Sequence, residues 1–133
     1  VRKLAEMGAE LSVHDPYVDN WFELEKQDEY PATGHSWKRF FHNQEKLKKI
    51  VVEKNLEDAV KGIDALILAV PHKHYLNLSP DDIVRWAGHP IAVVDAFGIL
   101  TDTQIRRYFE LGCEVKASGR GHVERIRMEV RNP

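Results

Sequence analysis

Short apolar runs alternate along this chain with segments whose apolar residues recur every three or four positions, and glycines stand at the joins. Residues 1–7 combine good helix formers with Val1, Leu4 and Met7 on one side. Gly8 comes next, a residue able to take positive φ at a helix end, and then residues 9–14 alternate, with Leu11 and Val13 on one face, as a strand does. The same order of residue types returns at Tyr108-Phe-Glu-Leu-Gly112-Cys-Glu-Val. Val60-Lys-Gly62-Ile-Asp and Trp86-Ala-Gly88-His-Pro share the same plan, so four of the eight glycines mark helix-to-strand turns.

Helix starts are equally legible. Asn55-Leu-Glu-Asp58, Ser79-Pro-Asp-Asp82 and Thr101-Asp-Thr-Gln104 each place a capping side chain before acids or acceptors in a first turn, and Pro80 occupies the N1 position that tolerates proline. The apolar runs at 50–53, 65–70, 91–95 and 114–117 read as strands. The two most apolar, Ala-Leu-Ile-Leu-Ala-Val and Ile-Ala-Val-Val, show no polar alternation, which predicts strands covered by helices on both faces. Alternating helices and buried strands predict an α/β fold with a doubly wound parallel sheet of about five strands.

Residues 18–49 break this rhythm. Trp21, Phe22, Tyr30, Pro31, Trp37, Phe40 and Phe41 stand there among many charges. A structureless loop of that length is unusual in a compact domain, so the segment is expected to carry its own helix over 36–48. Its aromatic residues either form a local core or offer a surface to a partner.

Composition adds bounds. With 133 residues the chain suits one domain, and 43% hydrophobic against 30% charged residues is ordinary for a globular protein. Nineteen basic and 21 acidic residues leave a net charge of −2, which supplies no electrostatic drive toward nucleic acid. The longest apolar run, at 65–70, is far below the ~20 residues needed to cross a bilayer, and the charged N-terminal segment is unlike a signal peptide, so no membrane role and a cytoplasmic location are expected. Cys113 is the single cysteine and offers neither an intrachain disulfide nor a thiolate zinc site.

In open parallel sheets, ligands bind beyond the carboxyl ends of the strands. The residues just after the apolar runs are therefore the candidates: Asp15 in His14-Asp-Pro-Tyr17, His72 and His74 in Pro71-His-Lys-His-Tyr75, and Asp95, Phe97 and Gly98 in Asp95-Ala-Phe-Gly98. Asp15 either opens a turn or holds a ligand hydroxyl. His72 and His74 can hydrogen-bond one small ligand, and no third residue at a telling spacing makes them a metal site. Asp95 ends a buried strand, where a carboxylate must be satisfied by backbone amides or by a ligand. Arg120, between two glycines, can approach an anion closely, whereas Arg125, Arg127 and Arg131 are expected on a solvated face. Cys113 reads as packing. No Gly-x-Gly-x-x-Gly, no Gly-x-x-x-x-Gly-Lys-Ser/Thr and no catalytic triad order occur, so no catalytic residue is assigned.

Four motifs in order carry a family resemblance: Gly8-Ala-Glu-Leu-Ser-Val-His-Asp-Pro-Tyr17, then Leu56-Glu-Asp-Ala-Val-Lys-Gly-Ile-Asp-Ala-Leu-Ile-Leu-Ala-Val-Pro-His72, then Ile91-Ala-Val-Val-Asp-Ala-Phe-Gly-Ile-Leu100, and Gly119-Arg-Gly121. Together they resemble the C-terminal, UDP-binding domain of the UDP-glucose/GDP-mannose dehydrogenase family. The resemblance implies a Rossmann-like domain that helps to hold a UDP-sugar in an enzyme oxidising the sugar C6 hydroxymethyl group to a uronic acid, for polysaccharide synthesis. It implies that NAD and the catalytic cysteine, set in a Gly-rich segment, belong to other domains of the parent enzyme, a homo-oligomer. Cys113 lies outside any such segment and inherits no role. The family commonly reads Asp-Gly-Arg-Asn where this chain has Asp95-Ala-Phe-Gly98, which removes a cation from the position that would meet the ligand.

The resemblance also implies a strand ahead of the first helix, lying between the strands at Leu11 and Leu66. The expectation is thus a sheet whose first central strand is missing from these 133 residues, leaving a gap or a substitute pairing, in a piece of a longer enzyme. An alternative reading keeps the fold and makes the chain a non-catalytic interaction or regulatory module that uses the aromatic insertion at 18–49.

Overall fold

The computed structural model describes residues 1–18, 50–119 and 121–133, which fall into two compact units, Val1–Ala59 and Val60–Pro133. The expected helix at 36–48, the aromatic residues of the insertion and Arg120 lie outside the described residues.

The first unit contains α1 (Arg2–Glu6), β1 (Val13–His14) and β2 (Val52–Glu53), and α2 (Leu56–Val60) begins in it. Strands β1 and β2 run parallel, with Val13 opposite Val52 and His14 opposite Glu53. The strand expected over 9–14 is therefore only its last two residues, because the ladder with β2 engages no others. Lys54, just after β2, ties the two strand ends together: its ammonium donates to the carbonyls of Asp15 at 3.0 Å and Val18 at 2.8 Å.

The second unit contains β3 (Ala65–Leu68), α3 (Lys73–Leu76), α4 (Pro80–Ala87), β4 (Ala92–Asp95), α5 (Asp102–Glu110), β5 (Glu114–Ala117) and α6 (Val123–Arg131). Its sheet is parallel in the order β3-β4-β5, with Leu68 opposite Asp95 and Asp95 opposite Ala117 at the carboxyl ends. All pairings in both sheets are parallel, as the alternation of helices and strands predicts. Gly8, Gly62, Gly88 and Gly112, the four turn glycines, all have positive φ. At Gly88 the residue is the left-handed cap of α4, a conformation that a β-carbon would strain.

The three expected helix caps form. Asn55 Oδ1 accepts from the amides of Glu57 and Asp58, Ser79 Oγ accepts from Asp82, and Thr101 closes a capping box with Gln104. Gln104 does more than cap. Its Oε1 accepts from the Thr101 amide at 2.8 Å while its Nε2 donates to the carbonyls of Leu76 and Leu78, so one side chain joins the start of α5 to the α3–α4 connection. A bidentate contact from Arg107 to Asp81 adds a second tie between α5 and α4, and the guanidinium holds the Asp81 carboxyl below its ordinary pKa.

One expectation fails in a specific way. Strands β3 and β4 are buried on one face only: Leu68, Val93 and Asp95 are buried, whereas Ala65, Ile67, Ala92 and Val94 are exposed, Ile67 to 45% and Val94 to 37%. The strand order explains it. A parallel sheet that grows in one direction through right-handed crossovers places each crossover helix on the same side. The core forms there, around Ile83 of α4, Ile105 and Tyr108 of α5, and Ile126 of α6. Helix α6 is not among the elements expected from the sequence, and Val123 and Ile126 are its buried residues.

Replacing Gln104 with Ala removes the reciprocal half of the capping box and both carbonyl contacts, so a loss of about 1–2 kcal/mol is expected. Urea denaturation checks it, and the Thr101→Ala chain should lose less, because it keeps the ties to Leu76 and Leu78.

Candidate functional site

The carboxyl-end rim of the second unit is built by the turns that leave β3, β4 and β5. The register aligns the three strand ends, and two main-chain bonds extend the alignment past them: the Ala96 amide donates to the Leu68 carbonyl at 3.1 Å and the Ser118 amide to the Asp95 carbonyl at 3.0 Å. The turns that begin at Ala69, Ala96 and Ser118 are therefore neighbours along one rim.

Asp95 sets the shape of the middle turn. It is the buried charged residue of the second unit, with no exposed surface, and its two oxygens are divided between two amides: Oδ1 accepts from Phe97 at 3.3 Å and Oδ2 from Leu100 at 2.9 Å. A carboxylate at such a place needs hydrogen-bond donors, and the turn supplies them from its own backbone. Leu100, 1% exposed, anchors the far end of the turn in the core. Between these points Gly98 takes φ +67° and Phe97 stands 58% exposed.

His72 is the N-cap position of α3, on the neighbouring turn, and makes no side-chain cap. Its ring lies 5.8 Å from that of Tyr75, tilted by 47°, with Tyr75 buried beneath. His74, two residues on, is exposed. The structure thus brings His72, His74, Asp95, Phe97 and Gly98 to one rim, with Asp95 beneath it rather than on it. Two residues that carry no motif join the adjacent helix starts: His122, the N-cap position of α6, lies 2.8 Å from Asp102 in the first turn of α5. Their only sequence signal is position, since both sit next to turns that leave strands.

Asp15 belongs to the first unit and works as a turn former there. Its Oδ1 accepts from the amides of Tyr17 at 2.7 Å and Val18 at 3.0 Å, as a residue opening an Asp-Pro turn does. Arg120 lies outside the described residues. Of the arginines expected on a solvated face, Arg127 is instead largely covered and pairs with Glu114 of β5 and Glu124, while Arg131 also reaches Glu114. Cys113 is buried, accepts from the Ile91 amide through its sulfur, and burial pushes its thiol pKa up. Among the described residues, no group of three or more His, Cys, Asp or Glu could hold a metal ion, and no helix is long and apolar enough to cross a membrane.

A parallel α/β unit with its polar and aromatic residues gathered at the carboxyl ends of the strands is the general form of a nucleotide-binding fold. The family model for the UDP binding domain of the UDP-glucose/GDP-mannose dehydrogenase family matches residues 1–102, and the chain belongs to that family. The match includes Asp15 and the whole β3 and β4 rim and ends before Arg120. The fold is similar to that of NDP-N-acetyl-D-galactosaminuronic acid dehydrogenase from Methanosarcina mazei Go1, with a TM-score of 0.62 at 24% identity. That likeness covers 92% of this chain and 20% of the other, so the chain spans about a fifth of the length of that enzyme. No curated protein matches the chain.

Two outcomes check this geometry. Asp95→Ala leaves two amides without their acceptor, and a destabilisation of about 2–3 kcal/mol is expected in urea denaturation, with faster hydrogen exchange at Leu100. Cys113 should resist a thiol reagent in the native protein at pH 8 and react fully once the chain is unfolded, because a buried thiol with a raised pKa presents little thiolate.

Proposed function

We propose that this chain is the nucleotide-sugar-binding domain of a longer, NAD-dependent 6-dehydrogenase that oxidises a UDP-hexose to a UDP-uronic acid. Family membership supports the reaction class, and the observation that carries the binding role is the rim: a turn held rigid by a buried carboxylate, presenting Phe97 and Gly98 beside His72. His72 and His74 supply hydrogen-bonding nitrogens for phosphate or hydroxyl oxygens, and Gly98 lets the main chain approach closely. Asp15 and Arg120 remain substrate-binding candidates of this proposal, Asp15 through its turn and Arg120 through its charge.

None of the described strand-to-helix turns carries the Gly-x-Gly-x-x-Gly of a dinucleotide site, which supports placing NAD on another domain. The chain's own contribution to the reaction is to bind and orient the nucleotide, while NAD and the catalytic cysteine belong to other domains of the parent enzyme, which would work as a homo-oligomer.

Titration of the whole protein with UDP and UDP-glucose, monitored by calorimetry and by amide chemical shifts, tests the proposal. Saturable binding with shifts concentrated at His72, Phe97 and Gly98 is expected. Absence of binding by any nucleoside diphosphate sugar overturns it.

A further inference from the structure

A phenyl ring that is more than half exposed carries little information when the loop beneath it is free to fold it away. Phe97 is in the opposite situation. Its own amide is bound to Asp95 Oδ1, the Leu100 amide three residues on is bound to Oδ2, and Leu100 is sunk in the core, so the turn is pinned on both sides of the ring. Gly98, at φ +67°, makes the sharp bend between those points. The ring is thereby held out at the rim, on the strand next to the one that leads to His72.

From this arrangement, and resting on the nucleotide-sugar reading above, we propose that Phe97 is the stacking platform for the nucleobase, with Asp95 as the residue that positions it. The chemistry of the ligand makes the choice. Its diphosphate is anionic, whereas the base presents a wide flat face of low polarity, broader than the C–H face of the hexose, to a ring without charge or hydrogen-bonding atoms. Stacking of this kind adds affinity without reading base identity, because every base has such a face. Phe97 therefore sets how tightly a nucleotide is held, and selection of one base over another falls to hydrogen-bonding groups elsewhere.

The test compares the whole protein with its Phe97→Ala and Phe97→Trp variants, using UDP and UDP-glucose as probes. Phe97→Ala should weaken UDP binding roughly 5- to 150-fold, and Phe97→Trp should restore it. In the unsubstituted protein the H5 and H6 protons of uracil should shift upfield on binding, as protons over an aromatic face do, and Phe97→Ala should abolish that shift. Unchanged UDP affinity in Phe97→Ala, failure of Trp to restore it, or upfield shifts on the glucose protons in place of H5 and H6 each overturn the proposal. Since the side chain is exposed, loss of the fold is not expected, and a urea denaturation midpoint for each variant verifies it. Failure of the unsubstituted protein to bind either probe overturns the nucleotide-sugar reading as well, whereas binding with no Phe97 effect overturns this inference alone.

Discussion

Asp95 joins the core of the second unit to its rim. Its main chain belongs to the middle strand, paired with Leu68 on one side and Ala117 on the other, and its carbonyl receives the amide that starts the turn after β5. Its side chain, shut away from water, is bound by two amides of the turn after β4. A buried carboxylate without such partners costs several kcal/mol, so the turn and the strand stabilise each other's geometry. The shape of the rim depends on this one residue more than on any residue exposed there.

The sheet imposes a second constraint. Three parallel strands in sequential order, joined by crossovers that all have the hand usual in parallel sheets, would collect their helices on one side, and the buried faces of the strands agree with this. That side receives Tyr108, Ile83 and Ile105, each with no exposed surface, and the burial of an aliphatic side chain such as Ile83 or Ile105 is worth about 1.5–3 kcal/mol. Surface ion pairs contribute far less. The Asp81–Arg107 and Glu114–Arg127 pairs are better regarded as setting how α4, α5 and α6 lie against their neighbours.

Several features are legible from residue types alone. Caps at Asn55, Ser79 and Thr101 are visible because a side-chain acceptor three residues from a free amide is a local geometry that needs no tertiary partner. The turn glycines are visible for the same reason, since positive φ is a property of one residue. Helix α6 has its signal in Val123 and Ile126, spaced by three, but the many charges between them suggest a solvated face, and Arg127 shows why that is incomplete: its guanidinium is folded onto Glu114 of β5. The rim is half legible. Its residues can be named from the rule that ligands gather after parallel strands, yet the string of residues does not say whether Asp95 points at a ligand or at its own turn.

The order of helices and strands, their caps and turns, and membership of a family of nucleotide-sugar dehydrogenases are all written in the residues themselves. They are set by contacts within a few positions and by motifs that survive as strings. Which face of β3 and β4 is covered depends instead on the packed fold, because an apolar strand reads the same whether one or both of its faces meet a helix. The fate of the Asp95 carboxylate depends on it too, since both outcomes satisfy a buried charge and only the closing of the turn onto Leu100 selects between them.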